Sequence, residues 1–142
     1  MNDDLEKEFY FLRNFEIQEF QNLEIEKIIV CESLNDKSVT FVYIKIYNNN
    51  WQKYFLDAGA GFWEDTRIKV YEKLDNIEDD ENFEFKDYSK ILEIKNQMIK
   101  KIHCEPNDDN CQIIIELNNT KRIILRCKNS KIFDSECEIV KE

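Results

Sequence analysis

Apolar residues along this chain come in short runs separated by clusters of Asn, Asp and Ser. LEIEKIIVCES (23–33) leads through LNDK to SVTFVYIKIY (38–47); NNN closes that run, and WQKYFLD (51–57) follows. The second half has the same grammar: MIKKIHCE (98–105), PNDDN, CQIIIEL (111–117), NNT, KRIILRCK (121–128), NSK and SECEIVK (135–141). β-Branched and aromatic side chains fill the runs and turn-tolerant residues fill the gaps, which predicts strands joined by tight turns. In 38–47, Val39, Phe41 and Tyr43 share one face, and Val42, Ile44 and Ile46 share the other. A strand apolar on both faces belongs in the middle of a sheet with cover on both sides.

Two stretches carry helical spacing. Residues 87–101 place Tyr88, Ile91, Leu92 and Met98 on one helical face, with Asp87 as N-cap. Residues 3–13 place Leu5, Phe9 and Leu12 at the same spacing, although Phe9, Phe11, Phe15 and Ile17 also fit one face of a strand. Residues 67–74 read either way. DNIEDDENFEFKD (75–87), with seven acids and one lysine, reads as a solvated loop. The expected fold is therefore α+β: a single domain over 1–142, predominantly antiparallel β, with about seven or eight strands and one or two helices. KIIVCESLND (27–36) overlays KKIHCEPNDD (100–109) at an offset of 73 and agrees at five of ten positions, including Cys31-Glu32 with Cys104-Glu105. That match reads either as an internal duplication of a strand–turn–strand unit or as the shared composition of β-hairpins.

Charge narrows the partners. The 142 residues hold 30 Asp+Glu against 20 Lys+Arg, a net charge of −10, which repels phosphate backbones and anionic membranes and attracts basic proteins. No apolar stretch is long enough for a membrane-spanning helix, and the N-terminal residues lack the pattern of a secretory signal, so a cytoplasmic protein is expected. In that setting the five cysteines are expected as buried thiols. Cys104 and Cys111, on either side of PNDDN, could also face each other as a redox-sensitive pair.

Known chemical signatures are absent. DAGAG is neither a dinucleotide-binding G-x-G-x-x-G nor a P-loop. There is no C-x-x-C, and His103 and Cys104 alternate faces on a strand, so no metal or cofactor is expected. The one histidine has no activated nucleophile beside it, and among 30 acids that could always pair, Asp57, Glu64 and Asp65 around the glycines are the best placed. The expectation is a protein without catalytic residues.

Both glycines of the chain, Gly59 and Gly61, lie within YFLDAGAGFWED (54–65). They offer a sharp bend after residues 51–57 that sets Phe62 and Trp63 onto a chosen surface. If that surface is the core, the motif is structural; if Trp63 stays exposed beside Glu64 and Asp65, it is an aromatic anchor with an acidic rim. Residues 95–101 and 120–128 are locally basic, so the chain also has the asymmetry needed to pair with itself.

In its acidic, β-rich composition and in WQKYFLDAGAGFWED (51–65), the chain resembles bacterial immunity proteins of polymorphic toxin systems. The resemblance implies a non-catalytic protein that binds a cognate basic toxin domain and occludes its active cleft. The expected partner-binding residues are Trp63, Glu64 and Asp65, with Asp79, Asp80, Glu81 and Glu84 from the acidic run. Gly59 and Gly61 shape the loop. The alternatives are a homodimeric assembly module and a small-ligand-binding protein with a pocket near Gly59–Trp63.

Overall fold

Each of the seven apolar runs becomes a strand; of four further strands, two precede the first run and two lie between runs. The computed structural model describes residues 9–67, 82–133 and 135–142. Within them lie β1 (Phe9–Leu12), β2 (Phe15–Ile17), β3 (Ile25–Ser33), β4 (Val39–Ile46), β5 (Gln52–Asp57), β6 (Ala60–Asp65), β7 (Phe83–Asp87), β8 (Ile99–Asn107), β9 (Asn110–Leu117), β10 (Arg122–Cys127) and β11 (Cys137–Lys141). They form two antiparallel sheets, ordered β1-β6-β5-β4-β3-β7 and β11-β10-β9-β8-β2. The sheets face one another, β6 and β5 against β9 and β5 and β4 against β10 and β11. One core draws on both, including Ile28, Val30, Ile44, Tyr54 and Trp63 from the first and Ile102, Ile113, Ile115, Ile123 and Leu125 from the second.

The α+β expectation fails, because the described residues contain no helix. After β7 the Tyr88 N–H is spent on the Ile28 carbonyl at 2.9 Å, and Glu93 (φ 51°) and Asn96 (φ 63°) turn the chain where a helix would run straight. Leu92 and Ile94 are buried through those turns, so burial prevails over helical spacing. Of 3–13, residues 9–12 form β1 against β6, and 1–8 lie outside the described residues. The acidic stretch also departs from expectation: 83–87 is β7, paired with β3, while 75–81 lie outside the described residues. No helix among the described residues is long and apolar enough to cross a membrane.

The expected central strand is β4, flanked by β3 and β5. Val42, Ile44 and Ile46 enter the core as alternation requires, but so does Val39. Cys31 opposes Phe41 while Glu32 opposes Val39, so Thr40 is an extra residue on β4. This bulge returns Val39 to the buried face.

The strand pairing of one sheet recurs in the other as a pseudo-symmetric repeat. The hydrogen bonds Ile25 N–H to Gln97 O (3.1 Å) and Ile99 N–H to Leu23 O (2.9 Å) exchange when the chain is shifted by 74 positions. The same shift carries the bulge at Ile25/Lys27 onto the one at Ile99/Lys101, and Asn22 (φ 68°) onto Asn96 (φ 63°). Downstream, Val42 opposite Tyr54 matches Ile113 opposite Leu125, and Trp63 matches Ile139. The repeat suspected from sequence is thus visible in the architecture, but in a different register. Cys104 is equivalent to Val30, both in the core, whereas Cys31 pairs with Phe41 and Phe85 on the outer face. An offset of 73 would place every side chain on the wrong face of its strand. The first strand of each repeat crosses over: β2 pairs with β8, and β7 with β3.

Candidate functional site

The glycine segment is a hairpin. Asp57 opposes Ala60, leaving Ala58 (φ 51°) and Gly59 (φ 75°) as a two-residue turn with both central residues at positive φ, the turn type that matches strand twist. Gly61 serves a different need. A Cβ there would lie 2.6 Å from Cys104 Sγ and 3.3 Å from Ile113, so Gly61 lets β6 approach the opposite sheet. Gly59 shapes the turn, while Gly61 shapes the sandwich.

Trp63 is not an exposed anchor. It is 1% exposed, stacked on Tyr54 at 4.8 Å, and its indole N–H donates to Gln52 Oε1 at 3.0 Å. Alternation along β6 sends Trp63 inward with Gly61 and sends Phe62 and Glu64 outward. The expected trio therefore separates. Glu64 stands on the outer face, 3.9 Å from Lys53 Nζ. Asp65 accepts hydrogen bonds from the Arg67 N–H (2.7 Å) and the Asn50 amide (3.2 Å), which ties down the end of the hairpin. Glu84 is on the other side of the sheet at edge strand β7, between Lys37 (3.4 Å) and Lys86 (3.9 Å). Asp79, Asp80 and Glu81 lie outside the described residues. Asp57 and Asp65 sit at opposite ends of the hairpin, about 17 Å apart at the rise of a strand, and do not form a carboxylate pair.

The outer face of the six-stranded sheet carries an aromatic cluster whose members the sequence reading did not bring together. Phe41, Tyr43, Phe55, Phe62 and Phe85 are all half-buried there. Phe55 and Phe62 stack at 4.8 Å with planes 5° apart; Phe85 lies 6.1 Å from Phe41 and 6.5 Å from Tyr43. Lys53 reaches over both Phe41 (4.4 Å) and Phe55 (5.6 Å) and joins the two groups of rings. Beneath Tyr43 and Phe85 lie the buried side chains of Trp51 and Ile29. Acids hold the lysines of this face: Lys27 by Asp87 (3.7 Å), Lys45 by Glu26 (2.9 Å) and Lys53 by Glu64. The signal was present in the alternation of 52–57 and 60–65, which leaves Phe55 and Phe62 on the face opposite Tyr54 and Trp63.

The pseudo-symmetric sheet supplies an internal comparison. Where the first sheet has Phe55 against Phe62, the second has Arg126 against Glu138 in an ion pair at 3.0 Å. Phe41 corresponds to Gln112, which hydrogen-bonds Glu105 at 2.7 Å. Ion pairs such as Glu16–Lys101 and Arg126–Glu142 run across that outer face. The same strand geometry is built with polar side chains, so the fold does not require the aromatic ones.

A cavity of about 280 Å³ lies beside the glycine turn, lined by Leu56, Asp57, Gly59, Asn110, Cys111, Cys127, Ser135 and Cys137. Trp63 is not part of it. Cys104 and Cys111 are not directly opposed: Cys104 pairs with Ile113 and Cys111 with Pro106. Burial, and then the neighbouring Cys111, push the Cys104 thiol well above the ordinary range, which holds it protonated and unreactive. Cys111 donates to the Gly59 carbonyl at 3.0 Å. No group of three or more His, Cys, Asp or Glu among the described residues is placed to hold a metal ion.

Compared with protein-family models, curated proteins and solved structures, the chain matches none.

Proposed function

We propose that this chain is a non-catalytic binding protein that docks a basic protein domain on the outer face of its six-stranded sheet, and that the domain is a cognate toxin neutralised by occlusion. The carrying observation is the stacked Phe55–Phe62 pair, which stands where the equivalent sheet has the Arg126–Glu138 ion pair. Half-buried rings that the fold does not need are the kind of surface from which interface hot spots are made. The net charge of −10 selects a basic partner and speeds its approach. Five acids, Asp75, Glu78, Asp79, Asp80 and Glu81, precede β7 in the chain, and β7 carries Phe85. The segment 51–65, on which the likeness to immunity proteins rests, supplies Lys53, Phe55, Phe62 and Glu64 of this face.

The test compares immobilised wild type with Phe55→Glu/Phe62→Glu and with Lys101→Glu on the opposite face, each verified as folded by circular dichroism. Basic proteins released from the wild-type column by salt are then expressed with and without the chain. The expected result is a partner retained by wild type and Lys101→Glu but lost by the double variant, whose toxicity the chain suppresses. Equal retention by the double variant would remove the aromatic face from the reading. A retained partner without toxicity would leave the binding face and remove the immunity role.

The cavity beside Asp57 and Gly59 favours a second reading, a small-ligand site. Its volume falls just below the range of ligand pockets, roughly 300–1,000 Å³, and fits only a small molecule.

A further inference from the structure

The geometry points to Cys127 and Cys137 as a redox-active dithiol that closes reversibly to an intramolecular disulfide. The two residues are direct cross-strand partners on β10 and β11, and their sulfurs are 3.9 Å apart. Their pair is a non-hydrogen-bonded one. The next pair outward bonds from Lys128 N–H to Glu136 O at 2.6 Å, and the far end of the ladder closes with both bonds between Arg122 and Glu142. Alternation then leaves Cys127 and Cys137 in the narrow site, where Cα atoms are about 4.5 Å apart, inside the span a disulfide bridges. On the other face, ion pairs hold the register on both sides of the thiols: Arg126–Glu138 at 3.0 Å and Lys128–Glu136 at 3.7 Å. Bond formation needs side-chain rotation that brings the sulfurs to about 2.05 Å.

Access comes from the cavity. Cys127 is buried, but Cys137 is only half-buried, and both line the 280 Å³ space beside Gly59. Cys137 also lines a groove of about 450 Å³ that reaches Phe41, Lys53 and Phe55, so a small oxidant has a route to its sulfur. The oxidant is hydrogen peroxide. The Cys137 thiolate attacks one peroxide oxygen, the O–O bond breaks, and Cys137 becomes a sulfenic acid as water leaves. Cys127 then attacks the Cys137 sulfur, the S–O bond breaks, a second water leaves, and the disulfide remains. Two thiols are oxidised by two electrons and the peroxide is reduced to two waters. An added dithiol reverses the change by exchange.

The bond would close the loop 128–136, which Asn110 already holds through its amide to the carbonyls of Asn129 (3.3 Å), Ser130 (3.3 Å) and Ile132 (2.7 Å). Cys104 and Cys111, diagonal rather than opposed, are the internal control.

The experiment treats the full-length, reduced protein with hydrogen peroxide, counts remaining thiols under denaturing conditions, and maps the cross-link by non-reducing proteolysis and mass spectrometry. The expected result is loss of two of the five thiols, a monomer two hydrogens lighter, a cross-link joining Cys127 to Cys137, and full recovery with dithiothreitol. Cys137→Ser should abolish the loss, while Cys104→Ser should lose two thiols as wild type does. Retention of all five thiols under peroxide that oxidises a control dithiol peptide, or a cross-link mapping elsewhere or between chains, would overturn the assignment. The wild-type map decides the matter even if a variant folds poorly.

Discussion

Phe62 and Trp63 are neighbours in the chain and end on opposite sides of a sheet, and that single alternation reassigns the candidate site. Trp63 has its ring on Tyr54, Phe20 beside it at 6.2 Å, and its one polar atom satisfied by Gln52. Gln52 in turn donates to the Asn50 carbonyl at 3.2 Å, so a short polar chain leads from the core to the surface. Truncating the indole opens a cavity and orphans Gln52. Trp63→Ala is therefore expected to cost roughly 3–5 kcal/mol, read as a lower midpoint in urea unfolding. An anchor residue would instead leave the midpoint where it was and lower only partner affinity.

At the scale of elements, the β5–β6 hairpin pairs a favourable residue with an unfavourable one. Gly59 accepts φ 75° without cost, but Ala58 at φ 51° carries a Cβ into the left-handed region. Asn tolerates that conformation better, and Asn-Gly is the preferred sequence of this turn. Ala58→Asn is expected to stabilise the protein by about 0.5–1 kcal/mol, seen as a higher unfolding midpoint with unchanged cooperativity. A neutral or negative effect would mean that the turn differs from the one described. A side chain at Gly59 would be strained by its φ of 75°, and its Cβ would displace the exposed Phe133 ring, which lies 2.7 Å from that position.

For the whole molecule, the crossing of first strands makes each repeat incomplete without the other. β2 belongs by sequence to the first repeat and by hydrogen bonding to the sheet of the second; β7 does the reverse. Each sheet also covers the apolar face of its counterpart in one shared core. Unfolding is therefore expected as a single transition, with fluorescence of the two tryptophans and far-ultraviolet circular dichroism superimposing. Fragments 1–67 and 82–142, expressed separately, should each lack cooperative melting and regain it when mixed. A cooperative melt from either fragment alone would mean that the strand crossing is dispensable.

Local composition was enough to place β3, β4, β5, β8, β9, β10 and β11, because β-branched runs bounded by Asn and Asp have few other uses. The same alternation put Val42, Ile44 and Ile46 together on one face of β4, without saying which face is inside. Contacts between sequence-distant residues decided the rest. Helical spacing in 87–101 gave way to the burial of Leu92 and Ile94 and to turns at Glu93 and Asn96. The repeat was visible as shared letters at an offset of 73, but the hydrogen bonds and bulges recur at 74, a register carried by pairings that a linear overlay does not show. Which aromatic of Phe62-Trp63 faces solvent depended on which side of β6 the second sheet covers. Sequence periodicity says that two faces exist; only packing says which one is inside, because burial belongs to the pair of sheets and not to either strand.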